Sequence, residues 1–342
     1  MTTVGIIANP ASGKDIRRLV AHGSVFNNLE KVSIVRRALL GLQATGVEEI
    51  IFMPDYFGIG ARAIDGLKLA LKTSTLKMPL RGTQDDSTEA ADRFRDMQVG
   101  CIITLGGDGT NRAVAKGCGK IPLLPISTGT NNVFPYMIEG SIAGLAAGVV
   151  SLQMVKLDRV IQQTKRLEIE KDDQLIDIAL IDVVVYDEIF QASRAVWDMS
   201  KVREIVLTRA EPNNIGLSSI GGYLYPGSLN EKHGIHIKVG QGDREVLAPI
   251  APGLIVRVGI ESSGLINMND AVAIDHKPSI LALDGEREVE VGKKDSISIR
   301  LTNNGPYVID IKGALKEAAQ NGFFTTRITP SLPLKGGGLG WG

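Results

Sequence analysis

The chain has 342 residues, 44% hydrophobic and 22% charged, the composition of an ordinary globular protein. Lysine plus arginine number 38 and the acids 38, so the formal net charge of 0 lacks the basic excess of a general nucleic-acid binder. The length exceeds what one compact core usually serves and predicts two domains. Cys101 and Cys118 have no partner at metal-ligand spacing and form no disulfide framework. They read as reduced thiols. The amino terminus lacks a basic region followed by a long apolar run, so no signal peptide is expected. No stretch reaches the ~18 uninterrupted apolar residues of a membrane span. The expectation is a cytoplasmic protein without membrane attachment.

Residues 4–8 form a short apolar run that stops at Asn9-Pro10, a buried strand entering a turn. Residues 32–42 have helical spacing, 49–53 read as a second strand, and 59–72 as an amphipathic helix. Ser87 or Thr88 is the expected cap of a helix running through Met97. Residues 101–105 and 121–126 read as the third and fourth strands, with a helix beginning near Asn111 between them. This alternation predicts an α/β domain over residues 1–150, with a doubly wound, mostly parallel sheet. After about Ser151 short β-rich runs follow at 154–161, 175–186, 235–239, 254–260, 271–274, 280–283 and 296–301. They predict an all-β, sandwich-like antiparallel domain over 151–305, with one helix between Ala192 and Val202. A strand at 307–311 and a helix at 313–321, ended by Gly322, revert to the first domain's style, so 306–330 is assigned to it. The glycine-rich tail 331–342 is expected to be flexible.

The densest chemical signal is Thr104-Leu105-Gly106-Gly107-Asp108-Gly109-Thr110-Asn111. Glycines there permit positive φ and close backbone approach to a ligand. Successive amides in such a turn form an anion-binding concavity, and the following helix aims its positive end at the same place. The plain alternative is a tight turn with Asp108 capping the helix. Asn9-Pro10-Ala11-Ser12-Gly13-Lys14 follows the first strand. It is not a Walker A loop by spacing, yet Ser12, Lys14 and its amides could meet phosphates; otherwise it is an ordinary turn. Thr128-Gly129-Thr130-Asn131-Asn132 follows the fourth strand and is dense in donors and acceptors for a base or ribose; otherwise it is a capped helix start. Loops after parallel strands gather on one edge of a doubly wound sheet, so three such loops together favour a nucleotide cleft. Asp284-Gly285-Glu286 taken alone reads as a hairpin turn.

Asn-Pro-x-Ser-Gly, Gly-Gly-Asp-Gly-Thr, Gly-Thr-Asn-Asn and a late Asp-Gly-Glu, in this order, resemble the NAD kinase/diacylglycerol kinase superfamily. Within it the chain is most similar to the acetoin catabolism protein X (AcoX) family, through Arg81-Gly82-Thr83-x-Asp85-Asp86-Ser87-Thr88-Glu89-Ala90-Ala91 and residues 127–135. The resemblance spans most of residues 4–325. It implies an ATP-dependent kinase acting on a hydroxyl of a small soluble acceptor, with NAD the acceptor that the family label suggests, and it implies ATP and Mg2+ as cofactors. Asp108 would accept or organise the hydroxyl proton, and Glu286 would act with Asp284 near the metal and phosphates. Gly106, Gly107, Gly109 and Thr110 would cradle phosphate. Asn9, Ser12, Thr128, Gly129, Thr130 and Asn131 would complete the nucleotide site. Metal ligands stay unassigned, and assembly as a homo-oligomer is expected by analogy.

The sequence departs from its relatives in two places. It has no Asn-Glu pair after the loops, as NAD kinases do, and it reads Gly129-Thr130-Asn131-Asn132 where lipid kinases read Gly-Thr-Gly-Asn-Asp. Both bear on the acceptor. A lipid kinase would want an exposed apolar or basic face for membranes, which no basic amphipathic stretch supplies. A nucleotide-binding regulator without catalysis is the reading from another class. Gly58-Ile59-Gly60-Ala61-Arg62-Ala63 fits a dinucleotide fingerprint in letters, but it stands too far from its strand and reads as a helix start. His233 and His236 read as solvated residues near a hairpin rather than metal ligands. Residues 216–223 read as a loop, with the acceptor site as one place it could line.

Overall fold

The computed structural model describes residues 1–13, 26–188, 198–227 and 232–325. The expected helix between Ala192 and Val202 falls largely outside them, as do Lys14 and the tail. The described end of that stretch, Met199–Lys201, is a single 3-10 turn.

A seven-stranded sheet forms the first layer system. Its strands are β1 (Thr3–Ala8), β2 (Glu49–Phe52), β3 (Lys72–Thr75), β4 (Cys101–Gly106), β5 (Leu123–Ser127), β6 (Ile161–Gln163) and β17 (Tyr307–Ile309), in the order β3-β2-β1-β4-β5-β17-β6. All neighbours pair parallel except β6 with β17. Strands β1, β2, β4 and β5 are buried on both faces, which is why they read as continuous apolar runs. Helices α1 (Asn28–Thr45), α5 (Gly140–Ser151) and α8 (Ile311–Gln320) cover one face around Val35, Leu39, Ala147 and Ala314. Helices α3 (Asp85–Asp96) and α4 (Asp108–Gly117) cover the other around Phe94, Ala91 and Val114. The strand order reverses direction between β1 and β4. There the loops after the two strands diverge, and open α/β sheets bind ligands in that crevice.

Two antiparallel sheets make the second part. One has the order β12-β11-β10-β9-β14-β15, from β9 (Asp182–Tyr186), β10 (Val202–Leu207), β11 (His233–Ala251), β12 (Leu254–Asn267), β14 (Ser279–Leu283) and β15 (Glu286–Val291). The other is β13-β16-β7-β8, from β7 (Arg166–Lys171), β8 (Gln174–Ala179), β13 (Ala271–Ala273) and β16 (Ile297–Thr302). Leu167, Ile169, Val183, Leu281 and Ile299 pack between them, as in a sandwich.

Several elements differ from expectation, each for a local reason. The helix expected over 59–72 ends as the short α2 (Ile59–Ile64), because Gly66 takes a φ of +74°, and the chain returns as the edge strand β3. Helix α3 starts at Asp85, not after Ser87 or Thr88. Asp86 receives the amides of Arg81 and Gly82, and the Thr88 hydroxyl donates to the Ala113 carbonyl at 2.8 Å. Residues 157–160 form a helical turn, α6 (Leu157–Val160), and only 161–163 are strand, belonging to the first sheet. The run 175–186 is two strands in different sheets, broken at Leu180-Ile181. The loop expected at 216–223 contains α7 (Ser218–Leu224). The runs at 235–239 and 254–260 grow into one long hairpin, whose register shifts between Val239 and Arg244 broke the alternation that marks a strand. Helix α8 begins at Ile311, capped by Asp310.

Candidate active site

Three loops of the first sheet are knitted together at the reversal point. Asn9 accepts the Ala11 amide on its Oδ1 at 2.8 Å, a local turn, and its Nδ2 donates to Thr110 Oγ1 at 2.9 Å. Ser12 Oγ donates to the Asn9 carbonyl and lies 2.9 Å from Thr128 Oγ1. The loop after β1 therefore touches both of the others. A residue that sequence reasoning missed holds it in place. Lys31 of α1 is fully buried, and its Nζ donates to the carbonyls of Asn9 (2.8 Å) and Ser12 (2.7 Å) and to Asn28 Oδ1 (3.1 Å). Its signal was a lysine on the same helix stripe as Ile34, Val35 and Ala38, where a solvated residue does not belong.

None of the three glycines of the 106–109 turn has a positive φ, and packing requires two of them, Gly106 and Gly107. A Cβ on Gly106 would lie 2.4 Å from Thr110 Cβ, and one on Gly107 2.6 Å from Asn132 Oδ1. On Gly109 the nearest atom would be Glu286 Oε1 at 3.5 Å, so this position faces the cleft with room to spare. Helix α4 starts directly at Asp108 rather than near Asn111. Thr104 Oγ1 donates to Asn111 Oδ1 at 2.6 Å and Asn111 Nδ2 to the Gly107 carbonyl at 2.9 Å, which fixes the turn from behind. The half-buried Asp108 carboxylate receives the amides of Val133 (3.1 Å to each oxygen) and Phe134 (2.8 Å). Bonds of this kind fix the orientation of the carboxylate.

In the loop after β5, Ser127 Oγ donates to the Gly129 carbonyl (2.7 Å), and Asn132 Nδ2 donates to Ser127 Oγ (2.8 Å). Thr130 is exposed at the rim. Asn131 Oδ1 is sealed from solvent without a hydrogen-bond partner.

Across the cleft, Asp284 and Gly285 take φ values of +51° and +83°, a tight hairpin turn between β14 and β15. The Asp284 side chain is fully buried. It accepts the amides of Leu180 (2.9 Å), Ile181 (2.7 Å) and Asp182 (3.2 Å), at the corner where the chain passes from β8 to β9. Burial raises its pKa, and Arg112, 3.8 Å away, followed by those amides, acts against the rise. Glu286 Oε2 accepts Gln84 Nε2 at 2.6 Å, so this turn reaches the first sheet's helices. Arg112 of α4 is the second missed residue. Only 1% of its side chain is exposed, and it reaches Asp177 (3.3 Å), Gln84 (3.5 Å) and Asp284. No sequence signal marks it, because its partners lie up to 172 residues away (284 minus 112). Burial pulls the Arg209 guanidinium, stacked 5.2 Å from the Phe134 ring centre, below the usual arginine value; Tyr136 and Asp108 oppose that fall.

These pieces enclose a cavity of about 680 Å3. Every site residue named from the sequence lines it except Gly106, which packs behind Thr110. Loop 53–56, residues between Leu80 and Ser87, and Met199, Ile215–Leu217, Ile250 and Pro252 complete its lining. Asp55 of loop 53–56 caps α2 through the amides of Phe57 and Ile59, the helix start expected over the dinucleotide fingerprint. Burial raises the Asp55 pKa against those amides. His236 is not a solvated residue: it sits in β11 with Nε2 2.7 Å from Glu204 Oε2. Among the described residues, no three His, Cys, Asp or Glu side chains form a preformed metal cage, and no helix is long and apolar enough to cross a membrane.

A doubly wound sheet with a loop-built, acid-bearing cleft against a β-sandwich defines a kinase-like nucleotide-binding protein. Residues 4–151 match the family model of the ATP-NAD kinase N-terminal domain, and residues 165–304 that of the acetoin catabolism protein X C-terminal domain. The chain is 36% identical over 334 residues to acetoin catabolism protein X of Cupriavidus necator, covering 93% of this chain and 92% of that one. It belongs to the acetoin catabolism protein X family. A solved structure of yeast NADH kinase complexed with NADH spans 97% of this chain and 90% of its own at 14% identity, with a TM-score of 0.47.

Proposed function

We propose that this protein transfers the γ-phosphoryl group of ATP to a hydroxyl of a small soluble acceptor. The observation that carries the reading is the convergence of four distant segments, 9–12, 107–110, 128–132 and 284–286, on one cavity at the reversal point of the sheet. Phosphoryl transfer needs positioning and charge stabilisation more than covalent chemistry. The amides of the 107–110 turn and the start of α4 supply dipoles for phosphate oxygens. The Asn9–Ser12 loop, the Thr110 hydroxyl and the Thr128 hydroxyl supply further donors beside them.

Asp108 takes or orients the proton of the attacking hydroxyl, while the amides of Val133 and Phe134 hold its carboxylate in place. Asp284 shapes the turn that presents Glu286. Hard carboxylates facing a phosphate loop suit Mg2+, which is usually held by one or two of them together with substrate phosphates. Glu286 and Asp108 would hold the ion, and it would offset phosphate charge. The test is single-turnover transfer from labelled ATP by Asp108→Asn. A fall of about 10²-fold or more is expected from the loss of acid–base help, and an unchanged rate would end the assignment.

A further inference from the structure

The loop after β2 reaches the same cleft and bears on the part of the nucleotide that the phosphate turn does not hold, an inference that rests on the phosphoryl-transfer reading. Strand β2 runs parallel to β1, so its loop leaves the same edge of the sheet as the 9–12 loop. Tyr56 in that loop lines the cavity, and 70% of its surface is exposed. An aromatic ring this open offers a flat face to what enters the cleft.

The ring is held at its rim and at its base. Its hydroxyl donates to the Leu80 carbonyl at 3.0 Å. One residue earlier, Asp55 accepts the amides of Phe57 and Ile59, both at 2.9 Å, which fixes the backbone around Tyr56. The ring rests against Gly82, where a Cβ would come to 2.9 Å from Tyr56 Cε2 and where a φ of +77° already favours glycine. Asp86 holds the Gly82 amide at 2.7 Å, so the opposing loop is fixed as well. Pro54 and Leu80 line the cavity beside the ring. A platform set in advance loses little freedom when a ligand settles on it.

The same segment leads to the phosphate turn. Gln84 Nε2 would lie 3.7 Å from a Cβ on Gly109. Gly82 stands two residues before Gln84, at most about 7 Å of extended chain. A nucleotide with its phosphates at 107–110 is long enough to bring its base to the ring.

We propose that Tyr56 is a base-stacking residue. The aromatic base of ATP lies on its ring, between loop 53–56 and residues 80–83, and the triphosphate runs from there to the 107–110 turn. Stacking reads no pattern of donors and acceptors, because every base has a π-face. The platform supplies affinity for the base and leaves the choice among nucleotides to other contacts.

The test is calorimetric titration of a non-hydrolysable ATP analogue with Mg2+, and separately of NAD, into the full chain and its variants. Tyr56→Leu keeps an apolar side chain and removes the flat face. It is expected to weaken binding of the ATP analogue about 10-fold. Tyr56→Phe keeps the face and loses only the hydroxyl bond to Leu80, so it is expected to stay within about 3-fold of the wild type. In Tyr56→Trp the added indole emission is expected to be quenched as the analogue saturates the site, with the wild type and its two native tryptophans as the reference. Substitution at so exposed a position should leave the melting temperature unchanged, which separates lost stacking from misfolding. Equal affinity of Tyr56→Leu and the wild type, equal weakening by Tyr56→Leu and Tyr56→Phe, an unquenched indole, or a loss confined to NAD overturns the inference and leaves the phosphoryl-transfer reading standing. No binding of the ATP analogue by the wild type defeats both.

Discussion

Asp108 and Asp284 end strands of different sheets, and each carboxylate is anchored by backbone amides of a neighbouring segment. Their surroundings separate them. Asp284 is sealed, joined to Arg112, and pins the corner at Leu180–Asp182 where the chain changes sheets. Asp108 keeps part of its surface in the cleft, at the start of a helix that turns its positive end to the same space. One acid of the resemblance is thus buried in an ion pair, and the other keeps part of its surface in the cleft. A motif names residue types at fixed spacing, and burial decides which of them remains available for chemistry.

The contrast breaks most sharply on paired substitutions. Asp284→Ala takes one carboxylate from the buried Arg112 and leaves three amides without their acceptor, so a loss of about 3–5 kcal/mol, or failure to accumulate as folded protein, is expected in a denaturant titration. Asp108→Asn should keep most of the wild-type stability while losing transfer. Equal stability losses for the two would erase the distinction. The glycines give the next largest effect. Gly106→Ala forces a Cβ to 2.4 Å from Thr110 and should cost about 1–3 kcal/mol, whereas Gly109→Ala meets only ordinary contacts and should melt with the wild type. Lys31→Met takes its donor from the Ser12 carbonyl and leaves the Asn9 carbonyl with only the Ser12 hydroxyl, which should loosen the loop and weaken nucleotide binding about 10-fold by calorimetry. The smallest effect concerns the thiols. Burial pushes Cys101 and Cys118 up to about 12, so both stay protonated at pH 8, where an exposed thiol already shows thiolate. A chromogenic disulfide reagent should label neither in the native protein and both in urea.

Most of the first sheet was legible because doubly buried parallel strands announce themselves as apolar runs ended by glycine and asparagine. Edge strand β3 (Lys-Thr-Ser-Thr) was not, since it is polar and mostly exposed. The corner at 180–181 hid inside an apolar run interrupted only by Asp177 and Asp182, because what breaks it is a side chain about 100 residues away. Within the site, loop chemistry showed in the local letters of 106–110 and 128–132. The buried cations did not: Lys31 and Arg112 matter through partners that only the folded chain supplies. The glycines were read as special for positive φ and for close approach to a ligand; none has a positive φ, and the need at Gly106 and Gly107 arises from Thr110 and Asn132 pressing on them.

The central claim is that the glycine turn and the 284–286 turn face each other across a single nucleotide cleft. It is tested most directly by calorimetric titration of a non-hydrolysable ATP analogue with Mg2+ into the wild type and Gly109→Ala. The account predicts one saturable site in the range of ~1 µM to 1 mM for the wild type, and a clearly weakened one in a variant that melts at the same temperature. No binding by the wild type, or equal binding by both, would contradict it.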